Sequence, residues 1–338
     1  MTTTPTRKRA RVTIYAVAEE AGVSIATVSR VLHTPERVAA ATRQRVRDSI
    51  DRLDYVPDVA ARSLAARSHG AYGLVVPELD GPYYAALLTG FEVAAARRGD
   101  SVVVLTTRNQ DDPDRAVRRL AGRVDALALT GPADVAPETT TFLSTRLPVV
   151  GLAGPDLAGI ESFSTESVAG ARVLTEHLID AHGYSRLRFV GSINRTPDVQ
   201  RRYAGFAATH AAHGRTAPPP VEAPLSEEGG AAVARAVLDA SIDADALVCA
   251  NDEIALAVLR GLREGGMDVP GDIAVTGWDD WMAARYVTPG LTTVRQPVRD
   301  LGERVADRLA ALLADRASAP TPGVLPTELV IRQSCGCP

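Results

Sequence analysis

The residues best suited to chemistry lie in one short segment near the start of the chain. Ile25, Ala26, Ser29 and Arg30 share the outward side of a helical pattern whose inward side is Val28, Val31 and Leu32. Arginine can bind both acceptors on guanine, and small apolar groups can contact a thymine methyl, so this face can read base edges in a major groove. Ser24 and Thr27 are placed to reach phosphates, and Thr13, at the start of the preceding helix, can cap it and is a further candidate for contact with DNA. Catalytic candidates are weaker. His177 and His182 are five positions apart without the glutamate arrangement of a hydrolase, and they read as ordinary helix or turn histidines. The segment from Gly70 to Leu74 lacks a dinucleotide-binding glycine pattern, and with Lys8 as the only lysine there is no phosphate loop. Cys335 and Cys337 stand in a Cys-Gly-Cys-Pro tail that is too close-set and too poor in partners for a disulfide framework or zinc site. Reduced thiols, no metal, no cofactor and no catalysis are the resulting expectations.

The elements that must position the reading face follow from the same stretch. Residues 1–11 are polar and basic and are expected to form a flexible arm. Ile14, Val17 and Ala18 then make an apolar helical face, Gly22 marks a tight turn, and Ser24 caps the second helix. Together these predict a helix-turn-helix. A third helix from Ala39 to Leu53 closes a three-helix core through Val46, Ile50 and Leu53, with Arg43, Arg45 and Arg47 among its exposed positions. Tyr55-Val56-Pro57 interrupts it, and Asp58 can cap a short linker helix running to Leu64. The domain boundaries read as 12–57 for the DNA-binding head and 58–70 for the linker. Charge supports the division, since residues 1–70 carry a net +5 and the remainder a net −9.

Beyond residue 70 the pattern changes to alternating strands and helices. Apolar strands are predicted at Tyr72 to Val76, Ser101 to Leu105, Ala126 to Leu129, Pro148 to Leu152, Leu187 to Gly191, Ala246 to Cys249 and Ile273 to Gly277. Helices are predicted at Tyr84 to Arg98, Asp114 to Leu120, Ser167 to Ala181, Gln200 to His213, Gly229 to Ser241, Ile254 to Gly265 and Val298 to Ala314. Such alternation predicts parallel sheets covered by helices on both faces, with a ligand at the strands' carboxyl ends. No apolar run approaches the roughly 20 residues needed to cross a bilayer. The N-terminus lacks the apolar core of a signal peptide, so a cytoplasmic location without a membrane partner is expected.

Specific motifs add to this reading. Val12-Thr13-Ile14-Tyr15, Ala21-Gly22-Val23-Ser24, Thr27-Val28-Ser29-Arg30-Val31-Leu32 and Ala61-Arg62-Ser63-Leu64 resemble the DNA-binding head and hinge helix of the LacI/GalR family of transcriptional regulators. The body is similar to that family as well, through Val75-Val76-Pro77, Asp80-Gly81-Pro82-Tyr83-Tyr84, Cys249-Ala250-Asn251-Asp252, Gly277-Trp278-Asp279-Asp280 and Leu291-Thr292-Thr293-Val294. The resemblance implies that Ile25, Ala26 and Arg30 set sequence specificity. It also implies that Ala61 and Leu64 meet the DNA from paired hinge helices, with Leu64 as a minor-groove wedge. It implies a periplasmic-binding-protein-like body, residues 71–338, of two parallel α/β subdomains joined by three crossovers. The first subdomain is expected near 71–168 plus 295–320, and the second near 169–294 plus 321–334.

In the cleft between the subdomains, Arg202, Asn251 and Asp279 are the expected polar effector contacts, and Tyr83, Tyr84 and Trp278 the expected aromatic ones. Asp252 and Asp280 are read instead as helix caps or wall braces, and Trp281 as space-filling. Two departures stand out. Asp58 replaces the asparagine common at the hinge, and Glu166-Ser167 replaces an Asp-Asn pair before the second subdomain, which weakens transfer of any particular sugar. The expectation is a homodimeric, non-enzymatic regulator that binds a palindromic double-stranded operator. It is read as a repressor of carbohydrate-utilisation genes, released by a mono- or disaccharide. A purine, a phosphorylated metabolite or a partner protein is the alternative effector, and a sugar-binding protein or enzyme without DNA binding the remaining class. The short tail without a heptad helix is read as favouring a dimer over a tetramer.

Overall fold

The computed structural model describes residues 12–55, 68–154, 159–194, 196–321 and 323–338. The arm at residues 1–11 and the hinge positions Asp58, Ala61 and Leu64 lie outside the described residues. The chain divides into two compact units, Met1–His69 and Gly70–Pro338.

In the first unit, α1 (Ile14–Ala21), α2 (Ile25–His33) and α3 (Ala40–Arg52) enclose Val17, Val28, Val31 and Val46, with Tyr55 closing the end of the core. The α1–α2 turn depends on Gly22, whose φ of 63° lies in the left-handed region that side chains with a Cβ disfavour. Ser24 then accepts a hydrogen bond from the Thr27 amide at 3.2 Å and caps α2. Thr13 occupies the N-cap of α1 in an extended conformation, but its side chain makes no cap bond, so the capping expected there is absent. Arg43 also departs from its expected exposure. It is half-buried and donates to the Pro35 carbonyl at 3.1 Å, bracing the connection between α2 and α3.

The second unit contains two sheets. One is ordered β10-β5-β4-β3-β1-β2 and comprises β1 (Ala71–Val76), β2 (Ser101–Thr106), β3 (Ala126–Thr130), β4 (Val149–Leu152), β5 (Glu161–Thr165) and β10 (Val324–Leu325). The other is ordered β11-β9-β8-β7-β6 and comprises β6 (Leu187–Val190), β7 (Ala246–Cys249), β8 (Ala274–Asp279), β9 (Thr292–Arg295) and β11 (Glu328–Val330). All pairings are parallel except that of β11 with β9. The continuous apolar runs of β1 and β7 fit this arrangement, because helices cover both faces of a parallel sheet.

Helices α4 (Pro82–Ala96), α5 (Pro113–Ala121), α6 (Pro137–Ser144) and α11 (Val298–Ala314) belong to the first lobe. Helices α7 (Val168–Glu176), α8 (Pro197–Ala212), α9 (Glu227–Leu238) and α10 (Asp252–Glu264) belong to the second. Proline stands in the first turn of α4, α5, α6 and α8, where its missing N–H costs no helical bond. Helices α4 and α11 pack closely because each offers a glycine to the other's backbone. A Cβ at Gly90 would lie 1.9 Å from the Arg299 carbonyl oxygen, and one at Gly302 would lie 2.2 Å from that of Leu87.

The chain passes between lobes at β5 to α7, β9 to α11 and β10 to β11. The last passage falls after Leu325, later than the boundary at 320, because the short β10 still completes the first sheet beside β5. Two features fall short of the expected pattern. β5, Glu-Ser-Phe-Ser-Thr with Phe163 as its one large apolar residue, lacks an apolar run, and the predicted helix from Ser167 to Ala181 ends in a π turn over His177–Ala181.

Candidate functional site

In the head, the outward side of α2 presents Ile25, Ala26 and Arg30 as exposed residues, with Ser29 half-buried. The Ser24 and Thr27 hydroxyls lie 2.9 Å apart, so the two residues expected at phosphates also hold each other in place. Arg45 and Arg47 are exposed on α3, while Arg52 pairs with Glu20 at 3.2 Å. The helix is thus amphipathic in the required sense: branched aliphatics are buried on one side, and small, hydroxylic and cationic groups stand on the other.

In the body, the polar residues converge at the carboxyl ends of β7 and β8 and the start of α8. Arg202, on α8, is buried and donates through Nη1 to the Ala250 carbonyl at 2.6 Å. Its guanidinium lies 4.6 Å from the Trp278 ring centroid, so the indole supports a planar cation from below. Trp278 is 2% exposed and forms the floor beneath Arg202, which is itself buried. Asp279 ends β8, where its Oδ1 accepts from Gln296 Nε2 at 2.5 Å. Both Asp279, with φ 122°, and Asp280, with φ 56°, hold left-handed backbone, a strained turn that points successive carboxylates in different directions.

Burial raises the Asp279 carboxyl well above the ordinary carboxylate range. Arg202 opposes that shift, Asp252 adds to it, Gln296 opposes it and Asp198 adds to it. Across the cleft, α4 contributes Tyr83 and Tyr84, packed edge to face with ring centroids 5.2 Å apart. Burial raises both phenols, and the Asp198 and Asp279 carboxylates act on each of them. The tyrosines of one lobe therefore face the carboxylates of the other. A further inter-lobe approach lies nearby, where a Cβ on Gly81 would come 3.7 Å from the Trp281 ring.

The remaining residues brace this arrangement. Asn251 Oδ1 accepts from the Ile254 amide at 3.0 Å and caps α10, leaving the amide nitrogen as its donor toward the cleft end of β7. Buried Asp252 accepts from Thr293 Oγ1 at 2.6 Å and from the Trp281 amide at 2.8 Å. Asp280 accepts from Arg295 at 2.8 Å and Arg332 at 2.5 Å, which fixes the wall and turns it away from the pocket. Glu166 caps α7 through the Val168 and Ala169 amides at 2.9 and 3.1 Å.

Two cleft residues escaped the sequence reading. Asp198 lies four positions before Arg202 on α8 and is 5% exposed, a spacing that places both on one helical face. Gln296, within the β9 to α11 crossover, hydrogen-bonds both Thr165 and Asp279. Its only sequence signal is a polar amide beside Pro297.

A helix-turn-helix head carried in one chain with a two-lobed, periplasmic-binding-protein-like body defines a DNA-binding regulator. The family described as "Bacterial regulatory proteins, lacI family" matches residues 13–58, and the periplasmic binding protein-like domain matches residues 175–335. The chain is 32% identical to the HTH-type transcriptional regulator CelR of Thermobifida fusca, over 97% of this chain and 99% of that protein. It is 30% identical to GalR of Escherichia coli (strain K12), over 96% of each. Among solved structures, the lac repressor dimer bound to operator and the anti-inducer ONPF matches with a TM-score of 0.86 at 29% identity, over 96% of this chain and 99% of that one. A CelR–cellobiose complex matches with a TM-score of 0.70 at 30% identity, over 96% of this chain and 100% of that one.

The chain belongs to the LacI/GalR family of transcriptional regulators, which bind DNA in a sequence-specific manner and are not enzymes. No helix among the described residues is long and apolar enough to cross a membrane.

Proposed function

We propose that the protein is a homodimeric repressor of carbohydrate-utilisation genes that leaves a palindromic operator when a mono- or disaccharide enters the cleft between its lobes. The observation that carries this reading is the convergence of Arg202 over Trp278, Asp279 beside it, and Tyr83 and Tyr84 opposite. A carboxylate and a guanidinium satisfy hydroxyls that both donate and accept, while aromatic edges and faces suit the apolar side of a sugar ring. Arg202, Asp279, Asn251, Tyr83 and Tyr84 are assigned as effector contacts, and Trp278 as the support of Arg202. The cellobiose complex of CelR and the ligand-bound lac repressor support the sugar class.

In the head, Ile25, Ala26, Ser29 and Arg30 are assigned to base edges, and Ser24 and Thr27 to phosphates. Dimerisation follows from the reading task, since one three-helix head spans only a half-site. The test is footprinting of the full-length protein on its own upstream region at fixed salt, repeated with a panel of mono- and disaccharides. Loss of the footprint with one sugar supports the proposal. A footprint that no sugar changes, but a purine or phosphorylated metabolite releases, overturns the sugar assignment and leaves the DNA-binding regulator intact.

A further inference from the structure

The two histidines and two cysteines that looked unremarkable in the sequence meet at one point. His177 Nε2 and His182 Nε2 are 3.3 Å apart. Cys337 Sγ lies 3.6 Å from the first and 3.4 Å from the second, and Cys335 Sγ lies 3.6 Å from His177 Nε2. All four atoms fall within 4.8 Å of one another. A tetrahedral zinc ion with Zn–N of about 2.05 Å and Zn–S of about 2.3 Å requires edges of roughly 3.3 Å between nitrogens and roughly 3.6 Å between nitrogen and sulfur. Four of the separations, the one between nitrogens and three between nitrogen and sulfur, match that tetrahedron, and the others stay within 4.8 Å. We propose that His177, His182, Cys335 and Cys337 form a structural zinc site that fastens the C-terminal tail to the end of α7.

The local fold is arranged for this. Five positions along a regular α-helix place side chains on divergent faces, but the π turn over His177–Ala181 adds a residue to the turn and brings His182 beneath His177. Between the cysteines, Gly336 has φ 106°, and a Cβ there would lie 3.0 Å from His182 Nδ1 and 3.2 Å from the Tyr184 hydroxyl. Only glycine lets the tail turn both sulfurs inward at so short a spacing. Tyr184 donates to the Cys335 carbonyl at 3.1 Å and stacks on His182, which orients that ring from outside the site. Ser334 anchors the approach to Cys335, accepting from the Thr292 amide at 2.9 Å and donating to the Val275 carbonyl at 2.5 Å.

Two imidazoles and two thiols suit zinc, and the enclosure is sized for one ion rather than a cluster. Four protein ligands leave no open coordination position, so the role is structural rather than catalytic. Binding converts both thiols to thiolates and releases their protons, leaving a neutral site with the divalent cation. Both segments joined by the metal come directly from passages between the lobes: α7 follows β5, and the tail follows β11. The ion thereby secures the outer ends of two crossovers.

The test uses full-length protein with any histidine tag removed, dialysed against metal-free buffer and analysed for metal by mass spectrometry. One zinc per chain is expected. After exchange, cobalt should show tetrahedral ligand-field absorption with a thiolate charge-transfer band. Cys337→Ser and His182→Gln, at the half-buried positions, should each abolish that band and the stoichiometric zinc, and chelation should lower the wild-type melting temperature. If buried Cys335→Ser fails to fold, the cobalt spectrum of the wild type still decides. Trace zinc with no thiolate band, a native Cys335–Cys337 disulfide, or zinc retained in both variants would overturn the proposal.

Discussion

Replacing Asp279 with asparagine separates the binding role of this residue from the cost of keeping its charge in the cleft. The substitution keeps the shape and an oxygen for Gln296 Nε2, which now donates at 2.5 Å, but removes the charge beside Asp198 and Asp252. With the carboxyl raised to about 8 in the folded protein against an ordinary value near 3.8, the folded state holds a proton that the unfolded chain has released. Wild-type stability therefore falls as pH rises between those values, and the loss is complete above the folded value. A tenfold change in proton affinity is worth about 1.4 kcal/mol. Allowing for screening in the half-open cleft, D279N should gain roughly 1–2 kcal/mol across the window. In a body of this size that corresponds to about 2–4 °C in melting temperature, growing from pH 5 to pH 8. The effector response should move the other way. Where the carboxyl is ionised, at and above its folded value, loss of a charge-assisted hydrogen bond costs about 1.5–3 kcal/mol, or roughly 10- to 150-fold in Kd. Melting curves at several pH values, with titration calorimetry of the releasing sugar, measure both. A melting difference that does not change with pH refutes the buried-charge argument, and an unchanged Kd refutes the contact.

Three other substitutions probe separate links. Arg30→Ala should cost about 1–3 kcal/mol at one base pair of each half-site and relax discrimination there, read by competition binding against single-base operator variants at fixed salt. Gly90→Ala would force a Cβ to within 1.9 Å of the Arg299 carbonyl oxygen, so α4 and α11 must separate; melting should show a loss of about 1–3 kcal/mol or more. Arg202→Lys keeps the charge but loses the planar stack on Trp278, 4.6 Å from its centroid, and should weaken effector binding by roughly 0.5–2 kcal/mol while the operator footprint without sugar persists.

Residues that act through local pattern were legible in the sequence. Gly22 before Ser24, the aliphatic side of α2 and the bounds of α11 at Val298 and Ala314 each follow from capping or periodicity within one element. β5 was not, because Phe163 alone between two serines gives no apolar run, and its place is set by β4 and β10 from the two sides of the crossover. The depth of Trp278 was also hidden. An aromatic at a strand end reads equally as pocket lining or core, and it is Arg202, 76 positions earlier, that covers this one. The cysteine tail gives the clearest case. Cys335 and Cys337 have no partners nearby in the chain, yet β11 returns them to the end of α7, and a π turn that periodicity does not announce presents the two imidazoles.

The cleft draws its polarity unequally from the two lobes. Arg202, Asp198, Asn251 and Asp279 all belong to the second, while the first contributes mainly the tyrosines of α4. Arg202 Nε and the indole nitrogens of Trp278 and Trp281 are buried without a hydrogen-bond partner, and burial disfavours the charged form of Asp279. Such groups cost stability and add nothing to packing, so the second lobe bears a standing free-energy cost in a region built for recognition. Gln296 ties that wall to the crossovers, since one amide group binds Asp279 through its nitrogen and Thr165 through its oxygen. A ligand that rearranges the hydrogen bonds of Asp279 also changes what holds Gln296 between β5 and α11. A ligand can bias the lobes only by interacting differently with their open and closed arrangements. In this chain the physical route for that bias runs through Asp279 to the amide between the first two crossovers, and the tyrosines supply the contacts that register closure from the opposite side.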